Sequence, residues 1–237
     1  MQVTRIIELL QPFLTPACEQ QLTAKDYECI SIYIDILHRW NARINLTAVR
    51  NEEEIVTRHF GESFFAASNL FPGRGGEEGE LKEPGTRKVV ARSTVADIGS
   101  GAGFPGIPIK LWAPSVALTL IESNHKKAAF LREVTRFLRL TGINVQSARA
   151  EHIDQTFDFV ILRAVERFTD ILPIAAGLLA PSGRLALLIS SSQFEQASSV
   201  LPQLIWQPPL PIPMSDSRIL VVGDGNIDSQ QVGERDR

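Results

Sequence analysis

Apolar residues in the first seventy positions recur every three or four residues, the spacing that gathers them on one face of an α-helix. Val3, Ile6, Ile7, Leu10 and Leu14 define a short amphipathic helix, perturbed near Pro12, where a backbone donor is missing. The segment "TAKD" at 23–26 has the pattern of a capping box, and Tyr27, Ile30, Ile34 and Leu37 follow at helical intervals. The segment "NEEE" at 51–54 offers Asn51 as an N-cap, with carboxylates placed at the positive end of the helix dipole. Ile55, His59, Phe60 and Phe64 continue that helix. Residues 72–93, rich in Gly, Pro and charge, read as a linker or surface loop.

From Thr94 the period changes. Strand-like runs "TVADI", "VALTLI", "INVQS", "FDFVIL", "RLALLI" and "RILVV" alternate with helical segments, notably 124–141 and 167–179. That rhythm predicts an α/β fold built on a mostly parallel, doubly wound sheet. The last strand follows the loop "QPPLPIPMSDS" and is expected to run antiparallel. The organisation expected is a helical extension over 1–71, a linker over 72–93, an α/β domain over 94–223 and a polar tail over 224–237.

Composition narrows the function classes. The chain has 237 residues, 44% hydrophobic and 22% charged, as in a globular protein. No apolar run approaches the roughly 18 residues that cross a bilayer, and the N-terminus has no cleavable apolar core. Cys18 and Cys29 lack neighbours at metal-ligand spacing, so they read as reduced packing residues. A cytoplasmic protein without a metal is expected. The net charge of −3 argues against a chain basic all over, so a nucleic-acid role needs a local patch. One lies in 122–139, where Lys126, Lys127, Arg132, Arg136 and Arg139 outnumber Glu122 and Glu133. Arg132, Arg136 and Arg139 fall at i, i+4 and i+7, the spacing of one helix face. A second cluster joins Arg39 and Arg43 to Arg50. Each patch serves either as an RNA-backbone contact or as a solvated face.

The stretch "ADIGSGAGFPGIP" at 96–108 carries the chemistry. It follows the first strand, at the sheet edge where such folds bind ligands. Gly101, Gly103 and Gly106 match the dinucleotide spacing, a match that is weak alone. Two features separate the cofactors. A pyrophosphate needs backbone N–H donors, and Pro105 and Pro108 remove two of them. Asp97 would also repel a phosphate bridge, whereas the sulfonium and ammonium of S-adenosylmethionine (SAM) welcome a carboxylate. Glu122, at the end of the second strand, is placed to accept from ribose hydroxyls in either kind of cofactor.

The segments "WNARINLTAVRNEEEIVTRHF", "ADIGSGAGFPGIPIK", "ARAE" and "ILRAV" together resemble the bacterial small-subunit ribosomal RNA guanine-N7 methyltransferases of the glucose-inhibited division protein B type. The resemblance runs from about Ile30 to about Val222. It implies a class I, Rossmann-like SAM-dependent methyltransferase, with cofactor contacts at Gly99, Phe104, Ala150, Glu151 and Arg163. The implied partner is small-subunit rRNA, free or within the assembled or assembling subunit. The sequence departs from the family at Lys127, where many members have arginine, and in a longer 72–93 insert.

Several of these residues have a second reading. Phe104 reads as a wall of the cofactor pocket or as a core aromatic under the first helix, two roles that can coexist. Glu151 either reaches the adenine amino group or starts a helix. Arg163 either holds the substrate or the methionine carboxylate, or pairs with Glu166 or Glu151. His59 reads as a satisfied core histidine, and Asn41 and Asn45 as ties between the helical layer and the core. Guanine N7 carries a lone pair and no proton, so its methylation requires alignment and no general base. The distance of both cysteines from the loop disfavours a covalent cytosine mechanism. The alternatives are methylation of another RNA or a small molecule, a nicotinamide-dependent oxidoreductase and a non-catalytic RNA-binding module.

Overall fold

The computed structural model describes residues 1–14, 22–72, 93–165 and 167–225. The expected linker except its ends, the polar tail beyond Gly225, Cys18 and Glu166 lie outside these residues. Helix α1 (Val3–Leu10) passes into a 3-10 turn (Gln11–Phe13) at Pro12, where the sequence places the perturbation. Helix α2 (Ala24–Ile44) starts at a complete capping box, with Thr23 and Asp26 bonded reciprocally. It ends at Asn45 in the left-handed conformation, which asparagine tolerates better than most residues.

Asn51 caps α3 (Glu52–Glu54) by accepting from the N–H groups of Glu53 and Glu54. The helix then widens into a π-helical stretch (Ile55–Gly61) before α4 (Glu62–Leu70). Nothing in the 3.6-residue pattern announces that widening. It falls at the residues that face the sheet edge, and π-helical turns are frequent at functional sites.

The sheet comprises β1 (Thr94–Ile98), β2 (Ala117–Ile121), β3 (Ile143–Gln146), β4 (Phe157–Arg163), β5 (Leu179–Ser190), β6 (Leu204–Trp206), β7 (Leu210–Pro211) and β8 (Arg218–Gly225). Its order is β3-β2-β1-β4-β5-β8-β6, with β7 also paired to β8. β1 to β5 are mutually parallel where they pair, and β8 runs antiparallel to β5, as the sequence predicts. Helices α5 (Gly106–Trp112), α6 (His125–Phe137), α7 (Phe168–Gly177) and α8 (Ser191–Val200) connect them. β6, β7 and α8 are additions to the predicted elements.

The helical layer and the sheet share one core. Tyr33, Ile34, Phe60 and Phe64 belong to the same buried cluster as Ile107, Trp112, Phe130 and Leu220. The Trp112 indole also donates to the carbonyl of Phe71 at 3.0 Å. A second cluster, including Phe157, Leu172 and Leu187, lies between the sheet and α7 and α8. The register sets Ile98 beside Ile121 and Leu162, Ile121 beside Gln146, and Ser190 beside Arg218. The carboxyl ends of β1 to β5 and the start of β8 therefore form one edge.

Candidate functional site

The loop leaving β1 turns with positive φ at Gly99 (70°), Gly101 (53°) and Gly103 (86°). Gly103 is needed twice over: its conformation suits glycine, and a Cβ there would strike the Tyr33 hydroxyl and Ile107. Tyr33 reaches the loop from α2 and donates to the carbonyl of Ala102. The helical extension thus fixes the loop from above.

From below, Asp97 accepts from the N–H of Gly106 at 3.1 Å, with 1% of its surface exposed. Burial pushes its carboxyl pKa up to about 7, against the hydrogen bonds that favour the charged form. Glu122, also buried, accepts from Gly101 N–H at 2.9 Å and from Asn124 N–H at 2.7 Å.

Most of the loop's donors are used internally. Gly99 and Ser100 donate to Ile121, Gly103 to Ser100 and Ile107 to Gly103, all through the backbone. Gly101 and Gly106 donate to Glu122 and Asp97. A pyrophosphate would meet few free N–H groups beside the Glu122 carboxylate, with Asp97 buried beneath the loop. That set suits a cationic ligand without phosphates.

Phe104 stacks with two rings. Tyr33 stacks on it at 5.3 Å between centroids, 4° from parallel, and His59 at 4.8 Å and 23°. Phe60 meets it edge-on at 5.0 Å. Its side chain is a core aromatic joining the extension to the loop, while its backbone stays in the loop.

Arg163, at the end of β4, is turned toward the helical layer. It donates to His59 Nδ1 at 3.2 Å, to the Arg58 carbonyl at 2.6 Å and to Glu62 Oε2 at 3.1 Å. Among the described residues its ion-pair partner is Glu62, which also lies 2.7 Å from Arg218 at the start of β8. Glu62 is only 1% exposed. The cluster of two arginines and one glutamate carries an excess positive charge at the sheet edge. His59 Nε2 faces Thr47 Oγ1 at 2.9 Å. Asn41 holds that turn, donating to the Thr47 carbonyl and accepting from its N–H. Burial and the nearby Arg163, Arg58 and Arg218 lower the His59 pKa to about 3, so the ring is neutral. Asn41 and Asn45 act within the helical layer and not as the expected ties to the core: their side-chain partners are Thr47 and Arg50.

Gly99, Phe104, Glu122, Ala150, Glu151 and Arg163 all lie at this one edge. Ala150 is buried and Glu151 exposed in a 3-10 turn (Ala150–His152) beyond β3. The basic residues run away from it. Lys126 and Lys127 sit in the first turn of α6, capped by Asn124, and Arg132 and Arg136 lie exposed further along. Arg139 falls past the helix end, in the left-handed conformation (φ 52°), so its spacing to Arg132 does not place it on the same helical face. Sequence reasoning missed Tyr33, Thr47, Glu62 and Arg218. Tyr33 and Glu62 bond partners 69 and 101 residues away, and no short motif carries these contacts.

A doubly wound sheet of this order, with its antiparallel strand and glycine loop, has the fold of the class I SAM-dependent methyltransferases. The magnesium protoporphyrin IX methyltransferase of Synechocystis PCC 6803, solved with bound SAM, superposes with a TM-score of 0.59 at 13% identity, covering 84% of this chain and 97% of that one. The chain belongs to the rRNA small subunit methyltransferase G family, whose model matches residues 26–75 and 85–202. It is 34% identical over 195 residues to the ribosomal RNA small subunit methyltransferase G of Xylella fastidiosa, covering 80% of this chain and 82% of that protein. The namesake in Xanthomonas euvesicatoria is 34% identical over 183 residues, covering 74% and 77%. Among the described residues no helix is long and apolar enough to cross a membrane, and no group of three His, Cys, Asp or Glu side chains is placed to hold a metal.

Proposed function

We propose that this protein transfers a methyl group from SAM to N7 of a guanine in small-subunit ribosomal RNA. Family membership supports the reaction class and the RNA. The observation that carries the cofactor is the glycine loop, most of whose N–H groups are spent internally, with the Glu122 carboxylate bonded to it and Asp97 buried beneath it. SAM, when bound, supplies an electrophilic methyl group on a sulfonium centre. Gly99, the Phe104 backbone, Glu122, Ala150, Glu151 and Arg163 would hold it. Glu122 suits the ribose hydroxyls, Glu151 the adenine amino group and Arg163 the methionine carboxylate.

The protein's work is orientation and exclusion of water, because N7 needs no deprotonation before attack. The residues nearby fit that economy. Both nitrogens of His59 are engaged, and Asp97 lies beneath the loop. Cys29 is buried within α2. N7 opens into the major groove, which is deep and narrow in A-form RNA, so the target guanine belongs in a loop or distorted helix. Lys126, Lys127, Arg132, Arg136 and Arg139 would contact the RNA backbone on the way to it.

The test is methylation of small-subunit rRNA from cells lacking the gene, supplied in separate reactions as naked RNA and as assembled subunits. The expected product is N7-methylguanine at one position, read by reductive chain cleavage. SAM is expected to raise the melting temperature, whereas NAD leaves it unchanged. A methylated cytosine, a methylated small molecule with unmodified rRNA, or equal stabilisation by NAD would overturn this reading.

A further inference from the structure

His59 falls outside the six residues expected to touch the cofactor, yet it joins more parts of the site than any of them. Its Nδ1 accepts from Arg163 at the end of β4, its Nε2 faces Thr47, and its ring stacks on Phe104 in the glycine loop. We propose that His59 is a positioning residue: as the Nε2–H tautomer, it offers a bare Nδ1 to Arg163 and orients that guanidinium for the carboxylate of the methyl donor. The proposal rests on the cofactor reading above.

The chemistry allows one hydrogen arrangement. A guanidinium has donors and no acceptor, so the nitrogen facing Arg163 must be unprotonated. The neutral ring's single proton then sits on Nε2, donated to the Thr47 hydroxyl oxygen, which also accepts from the Val49 N–H at 3.1 Å. Charged groups surround the ring: Arg58 on its own π-helical stretch, Glu62 on α4, Arg163 on β4 and Arg218 on β8. Three of these four are cations, which disfavours an imidazolium. Glu62 restrains Arg163 on its other nitrogen. With the Arg58 carbonyl as third acceptor, the guanidinium has little rotational freedom. Arg163 therefore waits in one orientation instead of being ordered when the ligand arrives, which reduces the cost of binding.

Two substitutions separate this role from packing. His59→Phe keeps a ring over Phe104 and removes the acceptor. His59→Asn gives up the ring and can set an amide oxygen near the position of Nδ1. The expected result by calorimetry is SAM affinity reduced about tenfold in His59→Phe, with at least a threefold recovery in His59→Asn. A merely structural role predicts the reverse order, and that order, or equal affinities in both variants and the parent, would overturn the proposal. A parent chain that bound no SAM would instead sink the cofactor reading. Nitrogen-15 NMR of the parent protein tests the tautomer without any variant. His59 should show a protonated Nε2 and a bare Nδ1 throughout pH 5–8, and a protonated Nδ1 or titration in that range would refute the assignment.

Discussion

Asp97 shows how one residue serves both stability and chemistry. Its carboxyl holds the Gly106 N–H under the loop, yet burial costs its charge dearly. The folded pKa of about 7 lies above the ordinary 3.8. Between those values the unfolded chain has lost its proton while the folded protein keeps it. The contribution to stability is thus full below about pH 3.8 and falls as pH rises, by about 1.4 kcal/mol per unit, until it levels above about 7. Asp97→Asn keeps an acceptor for Gly106 and abolishes the titration. Urea midpoints measured from pH 4.5 to 7.5 should therefore decline less with pH in the variant than in the parent. Parallel profiles would mean that Asp97 is charged throughout. At this scale the sequence is legible where neighbours in the chain act together. Asp97, the glycines and Glu122 could be placed from one motif and one strand end. Phe104 could be read either as wall or as core, because an aromatic beside a glycine loop fits both, and only the Tyr33 and His59 stacks show how its ring is used. His59 gave no chemical signal, since a histidine on an apolar helix face looks the same with or without an arginine opposite.

Elements were legible in proportion to their burial. β1 matches its predicted run residue for residue: all but its first residue is buried, and Val95, Ala96 and Ile98 carry the apolar signal on either side of Asp97. β6 and β7 have three and two residues in a proline-rich segment, too short for any period to register. Helix α8, "SSQFEQASSV", buries only Ala197 and shows little amphipathic contrast, although its capping box at Ser190 and Gln193 was there to be read. Helix α6 bears on function. Starting at the cofactor edge, its thirteen residues carry basic side chains about 20 Å down the flank. The guanidinium of Arg136 lies over the exposed ring of Phe137. Arg136→Glu should weaken RNA binding about tenfold at moderate salt and flatten the dependence of affinity on salt, because one backbone contact is lost and a repulsion gained. SAM affinity should not change. Filter-binding titrations at several salt concentrations check this. An unaltered slope would show that the flank is only solvated.

The molecule as a whole is less divisible than its sequence suggests. Composition marks a boundary near residue 72, and the period of the hydrophobic pattern changes beyond it, so two units are the natural expectation. The side chains cross that boundary freely. Tyr33 bonds the glycine loop, Phe60 and Phe64 pack into the core shared with Trp112, and Glu62 lies between the arginines of β4 and β8. Glu62 is the most demanding of these contacts energetically. With 1% of its surface exposed, it compensates two cations, and a buried ion cluster that loses this anion leaves charge without a partner. Such losses cost about 3–5 kcal/mol. Glu62→Gln keeps the shape and an acceptor oxygen, so a loss at the lower end, about 3 kcal/mol, is expected. Urea unfolding of the parent should give one transition, seen alike by circular dichroism and by the fluorescence of Trp40 in α2 and Trp112 in α5. The variant should keep that single transition and shift its midpoint downward. Two separated transitions in the parent would restore the two-unit view. An unshifted midpoint would mean that Arg163 and Arg218 are neutralised in another way. A downward shift without loss of cooperativity is the result expected if the helical extension is a wall of the cofactor site and not an appendage to it.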